Sequence, residues 1–151
     1  MKKLMVFLVI LCMAFGFAAA EEEIYETTTV YVTANQLNGR VSPRKTSPVE
    51  VTFDKYFDTT CYGWSENHNW VEVQGGETGT VWVSYKYVTE RLDDFTVCND
   101  YGQKIKIREK PYGKVIGYLK PGKELIIEQV LLGWGRSSRG WIDLYYVTEE
   151  D

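Results

Sequence analysis

Polar and apolar residues alternate along most of the chain at the two-residue period of a strand with one buried face. Lys104-Ile105-Lys106-Ile107-Arg108 alternates strictly, which places both isoleucines on one face and three cations on the other. Apolar stretches predict further strands over residues 49–53, 59–62, 71–73 and 81–83, and over 118–119 and 125–127. Gln74-Gly75-Gly76, Tyr112-Gly113-Lys114 and Pro121-Gly122 are turn signals between them, and the polar stretch Ser65-Glu66-Asn67-His68-Asn69 reads as a hairpin loop. No segment sustains a helical period. Short strands joined by glycine and proline turns predict an all-β chain built from small barrels or sandwiches.

The pattern occurs twice. Trp82-Val83-Ser84-Tyr85-Lys86-Tyr87-Val88-Thr89-Glu90 is echoed by Trp141-Ile142-Asp143-Leu144-Tyr145-Tyr146-Val147-Thr148-Glu149. Upstream, Leu37-Asn38-Gly39-Arg40-Val41-Ser42-Pro43 parallels Ile105-Lys106-Ile107-Arg108-Glu109-Lys110-Pro111, and Trp70 parallels Trp134. The offset falls from 68 residues at the Arg/Pro element to 59 at the closing Trp, so the first copy carries longer connections between the same elements.

The second copy also carries Val115-Ile116-Gly117-Tyr118-Leu119-Lys120-Pro121-Gly122, then Gly133-Trp134, then Gly140-Trp141-Ile142 with Tyr146-Val147. Together with the Ile105–Pro111 run, these residues resemble the bacterial Src-homology-3 (SH3-like) pattern, roughly L-N-V-R-x-G-P, V-I-G-x-L-x-x-G, G-W and G-W-V-x-x-x-Y-L. The second copy departs from it at Lys110, which precedes the proline, and in the short spacing between Trp134 and Trp141. In the first copy Leu37-Asn38, Arg40 and Pro43 fit, but Gly39 stands where an apolar residue is usual and the second motif is not recognisable. The resemblance implies two tandem small SH3-like β-barrels, over residues 29–90 and 96–149, with 91–95 as a short linker.

Residues 1–20 read as a cleaved secretory signal peptide: Lys2 and Lys3, an apolar run from Leu4, and Ala18-Ala19-Ala20 before the acidic Glu21. The competing reading is an uncleaved anchor, since the run lies at the lower limit for spanning a bilayer. Cys12 follows bulky Leu11 inside that run, which argues against lipid attachment. After cleavage no transmembrane segment is expected, and the chain is expected to be secreted or wall-associated, or periplasmic under an outer membrane.

Loss of the two lysines moves the net charge from −4 to −6. Residues 21–90 hold 11 acids and 5 bases, whereas residues 101–148 hold 9 bases and 4 acids. Only the second copy could therefore attract an anionic polymer, the alternative being ordinary solvated surface, and no nucleic-acid partner is expected of so acidic a chain. Two cysteines remain, Cys61 and Cys98. A disulfide between them would close a 38-residue loop and stabilise by about 4 kcal/mol in the chain-entropy model. Two separate buried thiols are the alternative.

Catalytic and metal chemistry find little support. The one histidine, His68, could approach Cys61 across a hairpin, but no third orienting group accompanies the pair. One histidine and two distant cysteines do not make a tetrahedral metal set, and no cofactor motif is present. The pairs Asp93-Asp94 and Glu149-Glu150 read as solvated linker and tail. Aromatic residues stand out instead, with 5 Trp, 11 Tyr and 6 Phe. Trp82 and Trp141 sit between apolar neighbours in a closing strand and are expected to be core or half-core. Trp64, Trp70, Trp134, Tyr112 and Tyr145 sit beside glycine, asparagine or charged residues, where exposure is expected. With Arg108 they form the candidate ligand-binding set, because rigid aromatic area beside a cation anchors ligands well. Arg108 has an equally good conformational reading.

The resemblance implies a non-catalytic module that binds peptidoglycan peptide or another cell-envelope ligand, since such domains hold wall hydrolases on their polymer. The alternative is a secreted adaptor whose partner is another protein. No hydrolase segment is expected after the closing strand.

Overall fold

A computed structural model describes residues 26–75 and 79–151, so the leader expected over residues 1–20 lies outside the described residues. The fold is all-β and antiparallel, with one-turn 3₁₀ helices as its only helical elements among the described residues. None of these is long and apolar enough to cross a membrane.

The first copy contributes β1 (Thr28–Val32), β2 (Gln36–Arg40), β3 (Val49–Asp54), β4 (Asp58–Trp64), β5 (Trp70–Gly75), β6 (Gly79–Ser84) and β7 (Val88–Thr89). They form one sheet in the order β3-β2-β6-β5-β4-β1-β7. An extra residue in β3 (Glu50, opposite Gly39 and Arg40) and one in β4 (Tyr62, between Cys61 and Gly63) bulge and bend those two strands, letting so long a sheet curl over its own core. The second copy contributes β8 (Phe95–Cys98), β9 (Ile105–Arg108), β10 (Val115–Leu119), β11 (Glu124–Ile127), β12 (Gln129–Leu131), β13 (Trp134–Ser137), β14 (Gly140–Asp143) and β15 (Thr148–Glu149). These split into sheets β10-β9-β14-β13-β12 and β11-β8-β15.

The strands of the two copies run in a corresponding order, seven in the first and eight in the second. Arg40 faces Trp82 across β2 and β6, and Arg108 faces Trp141 across β9 and β14. Strand β4 pairs with both β1 and β5; its counterpart is broken at Glu128 into β11, which pairs with β8, and β12, which pairs with β13. A 3₁₀ turn precedes each closing strand, at Tyr85–Tyr87 and Leu144–Tyr146. Gly39 also has a packing cause. A Cβ there would lie 2.7 Å from Val81 and 2.8 Å from Val51, so two valines fill the space that an apolar side chain would take.

The copies do not keep separate cores. Leu131, Trp134 and Trp141 of the second copy belong to the cluster built on Val30, Val73, Val83 and Tyr85 of the first. A smaller cluster around Ile107, Leu119, Ile127 and Ile142 lies within the second copy. Backbone polar groups at the junction are satisfied across it. Gln129 donates its side-chain amide to the carbonyls of Tyr85 (2.8 Å) and Val88 (2.7 Å), and Glu90 accepts from Thr28 Oγ1 (2.8 Å) and from Leu132 N (2.6 Å). The linker is also pinned: Arg91 pairs with Asp93 and Glu149 and lies over the Phe95 ring.

The disulfide expected between Cys61 and Cys98 is not formed; both cysteines are free and buried. Cys61 is committed to the shared core, and Cys98 ends β8 in the second copy, where its thiol donates to Asp100 (3.4 Å).

Candidate functional site: a groove on the second copy

Strand β9 sends Ile105 and Ile107 into the core and turns Lys104, Lys106 and Arg108 outward, as the alternation requires. The chain then makes a compact loop over residues 109–114, closed by Glu109 N donating to Lys114 O (3.0 Å) and Gly113 N to Lys110 O (2.9 Å). At its tip Tyr112 adopts a left-handed backbone (φ 62°) and stands 55% exposed. This conformation is unusual for a non-glycine residue and holds only where surrounding contacts enforce it.

A groove of about 500 Å³ runs between this loop and the start of β9. Arg108, Tyr112 and Trp134 line one part of it, and Tyr101, Lys104 and Tyr146 another. Lys106 and Asp143 complete its polar surface, so three cations face one carboxylate, and that carboxylate already accepts from Tyr145 N (3.0 Å). The aromatic walls are tied together edge to face, Tyr101 on Tyr146 (5.2 Å) and Tyr112 on Trp134 (5.1 Å). Planar walls with a cationic floor suit a ligand that has both flat or apolar parts and anionic groups.

The candidate residues divide. Arg108, Tyr112 and Trp134 meet in the groove, although Trp134 is only 7% exposed and belongs to the shared core, contrary to the expected exposure. Its burial comes from the packing of the first copy against β13, which nothing local in the sequence announces. Tyr145 is 69% exposed beside the groove, its ring 5.2 Å from Tyr146. Trp64 and Trp70 are half-buried on the first copy and do not line the groove. The Trp64 ring instead packs against Tyr85 (5.7 Å) and Tyr112 (6.2 Å), and its Nε1 is buried with no hydrogen-bond partner. Trp141 is buried in the core cluster as expected, whereas Trp82, between the buried Val81 and Val83, is half-buried on the opposite face of β6 and outside that cluster. Arg108 Nη1 donates to Gly113 O (2.7 Å), just as Arg40 Nη1 donates to Ser47 O (2.7 Å) in the first copy. The repeated arginine therefore braces the loop that follows its strand in both copies, the conformational reading of Arg108, which also lines the groove.

Tyr101, Lys104, Lys106 and Tyr146 were absent from the candidate set. The outward cations are visible in the alternation of β9, whereas Tyr101 sits in a polar turn and carries no sequence signal.

Elsewhere, a polar depression of about 410 Å³ lies on the first copy between Thr29, Asp58, Thr60 and Gln74, with no cation in its lining. Cys98, Asp100 and Glu150 bring one thiol and two carboxylates within 4.8 Å of one another. The thiols are poor nucleophiles. Burial pushes Cys61 up to about 12, and burial followed by the Asp100 carboxylate pushes Cys98 up to about 11. Because only the thiolate alkylates, iodoacetamide at about pH 8 is expected to leave both unlabelled in the folded protein and to label both in concentrated urea. Intact mass measures this; rapid labelling of the native protein at Cys61 would contradict its burial.

No protein-family model matches the chain, and no curated protein matches it. Among solved structures, similarity is found to NlpC2 from Trichomonas vaginalis (14% identity, 83% of this chain and 49% of that one, TM-score 0.37). NlpC1 from the same organism is similar at 13% identity over 87% of this chain and 49% of that one, with TM-score 0.36. A structure described as endolysin LysPBC5 CBD is similar at 16% identity over 84% of this chain and 96% of that one, with TM-score 0.34. The chain spans about half the length of the two NlpC structures.

Proposed function

We propose that this chain is a non-catalytic, secreted or wall-associated module that binds peptidoglycan or another cell-envelope polymer through the groove of its second copy. The observation that carries this reading is the convergence of exposed Tyr101, Tyr112 and Tyr146 with Lys104 and Lys106 around one groove. The bacterial Src-homology-3 motifs supply the ligand class. The buried Cys61 thiol, far from its ionised form at neutral pH, argues against the Cys/His pair as a nucleophile. A secreted adaptor is the second reading, favoured by Ile116 and Ile126, which stand 54% and 59% exposed on the outer strands β10 and β11 of their sheets.

Co-sedimentation of residues 21–151 with isolated peptidoglycan, in low and high salt, tests the proposal. Tyr112→Ala combined with Tyr146→Ala is expected to cut binding by at least about tenfold, the loss typical of removing anchor side chains. Both rings are partly exposed, so the loss is readable without loss of fold, whereas Trp134→Ala would mix binding with stability. Absence of sedimentation in either salt overturns the wall-ligand reading and leaves the protein partner.

A further inference from the structure

We infer that the first copy acts as an intramolecular clamp on the ligand-facing loop of the second, with His68 and Asn69 as its positioning residues. This rests on the groove reading given above. The loop between β4 and β5 of the first copy reaches the 109–114 loop at two points. The His68 ring stacks on Tyr112 with centroids 4.1 Å apart and planes 29° from parallel. Lys110 Nζ donates to Asn69 Oδ1 (2.7 Å) and to Asn67 O (3.3 Å). The Trp64 ring meets the same Tyr112 edge-on from within the first copy.

The clamping loop is itself rigidly built. Asn67 Oδ1 accepts from Ser65 Oγ (2.8 Å) and from Asn69 N (3.1 Å), and His68 N donates to Ser65 O (3.0 Å). His68 occupies the left-handed region (φ 54°), the conformation that aims its ring outward from the hairpin tip. Tyr112 likewise has φ 62°. Two residues in sparsely populated backbone conformations, stacked face to face from different copies, hold each other in place.

The consequence is a division of labour. Tyr112 is at once a wall of the groove and the surface on which the first copy presses. The first copy thereby contributes to binding while supplying none of the groove lining, all of which comes from residues 101–146. Its divergence from the family pattern is compatible with that role, since the clamp uses the β4–β5 hairpin tip and not the Arg/Pro loop. Preorganising one aromatic anchor lowers the ordering cost that binding would otherwise carry.

The test uses His68→Asn with Asn69→Ala. Asparagine tolerates the left-handed backbone while removing the ring, and Asn69 is exposed, so the hairpin is expected to fold. Amide hydrogen exchange at Glu109 and Gly113, whose N–H groups close the loop, is expected to accelerate by about tenfold or more, with the amides of β9 and β14 unchanged. Co-sedimentation with isolated peptidoglycan is expected to weaken several-fold. Exchange at Glu109 and Gly113 within about twofold of wild type overturns the clamp whatever happens to binding. A loosened loop with undiminished binding also overturns it, because positioning would then be irrelevant to the groove. If the wild type itself ignores peptidoglycan, the groove reading falls and the exchange result alone decides the clamp.

Discussion

Trp141→Ala is expected to cost about 3–5 kcal/mol and to lower the urea midpoint of the whole protein in a single transition. The side chain is 4% exposed, lies on β14 opposite Arg108, and packs 5.7 Å from Tyr85 of the first copy. Removing it opens a cavity in a core that both copies share, and neither copy has a full replacement. Circular dichroism and tryptophan fluorescence followed in urea check this. Coincident curves with a lowered midpoint are the expected result; two separated transitions would show that the copies unfold independently despite their common core.

The second large effect concerns a polar group. Gln129→Ala is expected to destabilise by about 2–4 kcal/mol, because it strands the buried carbonyls of Tyr85 and Val88 without their donor. Its Oε1 also accepts from Arg136 Nε (3.1 Å), so the substitution releases Arg136 as well. The same urea titration reads the change; a shift no larger than that of an exposed glutamine would contradict the burial. By comparison the ion pairs Arg91–Asp93, Arg91–Glu149 and Arg136–Glu128 are partly or largely exposed, and solvent and salt screen them so that each contributes little. The buried amide and the shared rings, rather than the surface charges, hold the two copies together.

Much of this fold was legible in the chain. Alternation in β9, the turn at Pro121-Gly122 and the twofold Trp…Tyr-Val-Thr-Glu ending are local signals, and each corresponds to an observed strand, turn or closing element. Ends were less legible. Strand β4 extends to Trp64 because β5 pairs with it through Trp64↔Val71, and β10 starts at Val115, earlier than the expected residue 118, because Val115 pairs with Arg108. The repeated glutamate shows where likeness of sequence stops being likeness of role. Glu90 reaches across the junction to Leu132 N, whereas Glu149 receives Arg91 from the linker.

The groove was half legible. Arg108 and Tyr112 of the expected set line it, whereas Tyr145 stands beside it in the second 3₁₀ turn and Tyr101 and Tyr146 of the lining lie outside that set. Trp134 was found for the wrong reason: flanking glycines suggest exposure, but the indole fills the junction. The absent disulfide follows the same logic, since Cys61 packs into the shared core while Cys98, at the end of β8, turns its thiol to Asp100.

The sequence by itself therefore determined the all-β class, many of the strands and turns and the duplicated pattern, because side-chain alternation and turn chemistry act over a few residues, but not β1, β8 or β12, which no expected strand covers. Tertiary structure alone decided which aromatic rings are buried, that the copies share a core, and that His68 presses on Tyr112. Those outcomes depend on contacts between segments some 40 residues apart, such as His68 with Tyr112 and Gln129 with Val88, and no local pattern encodes such a pairing.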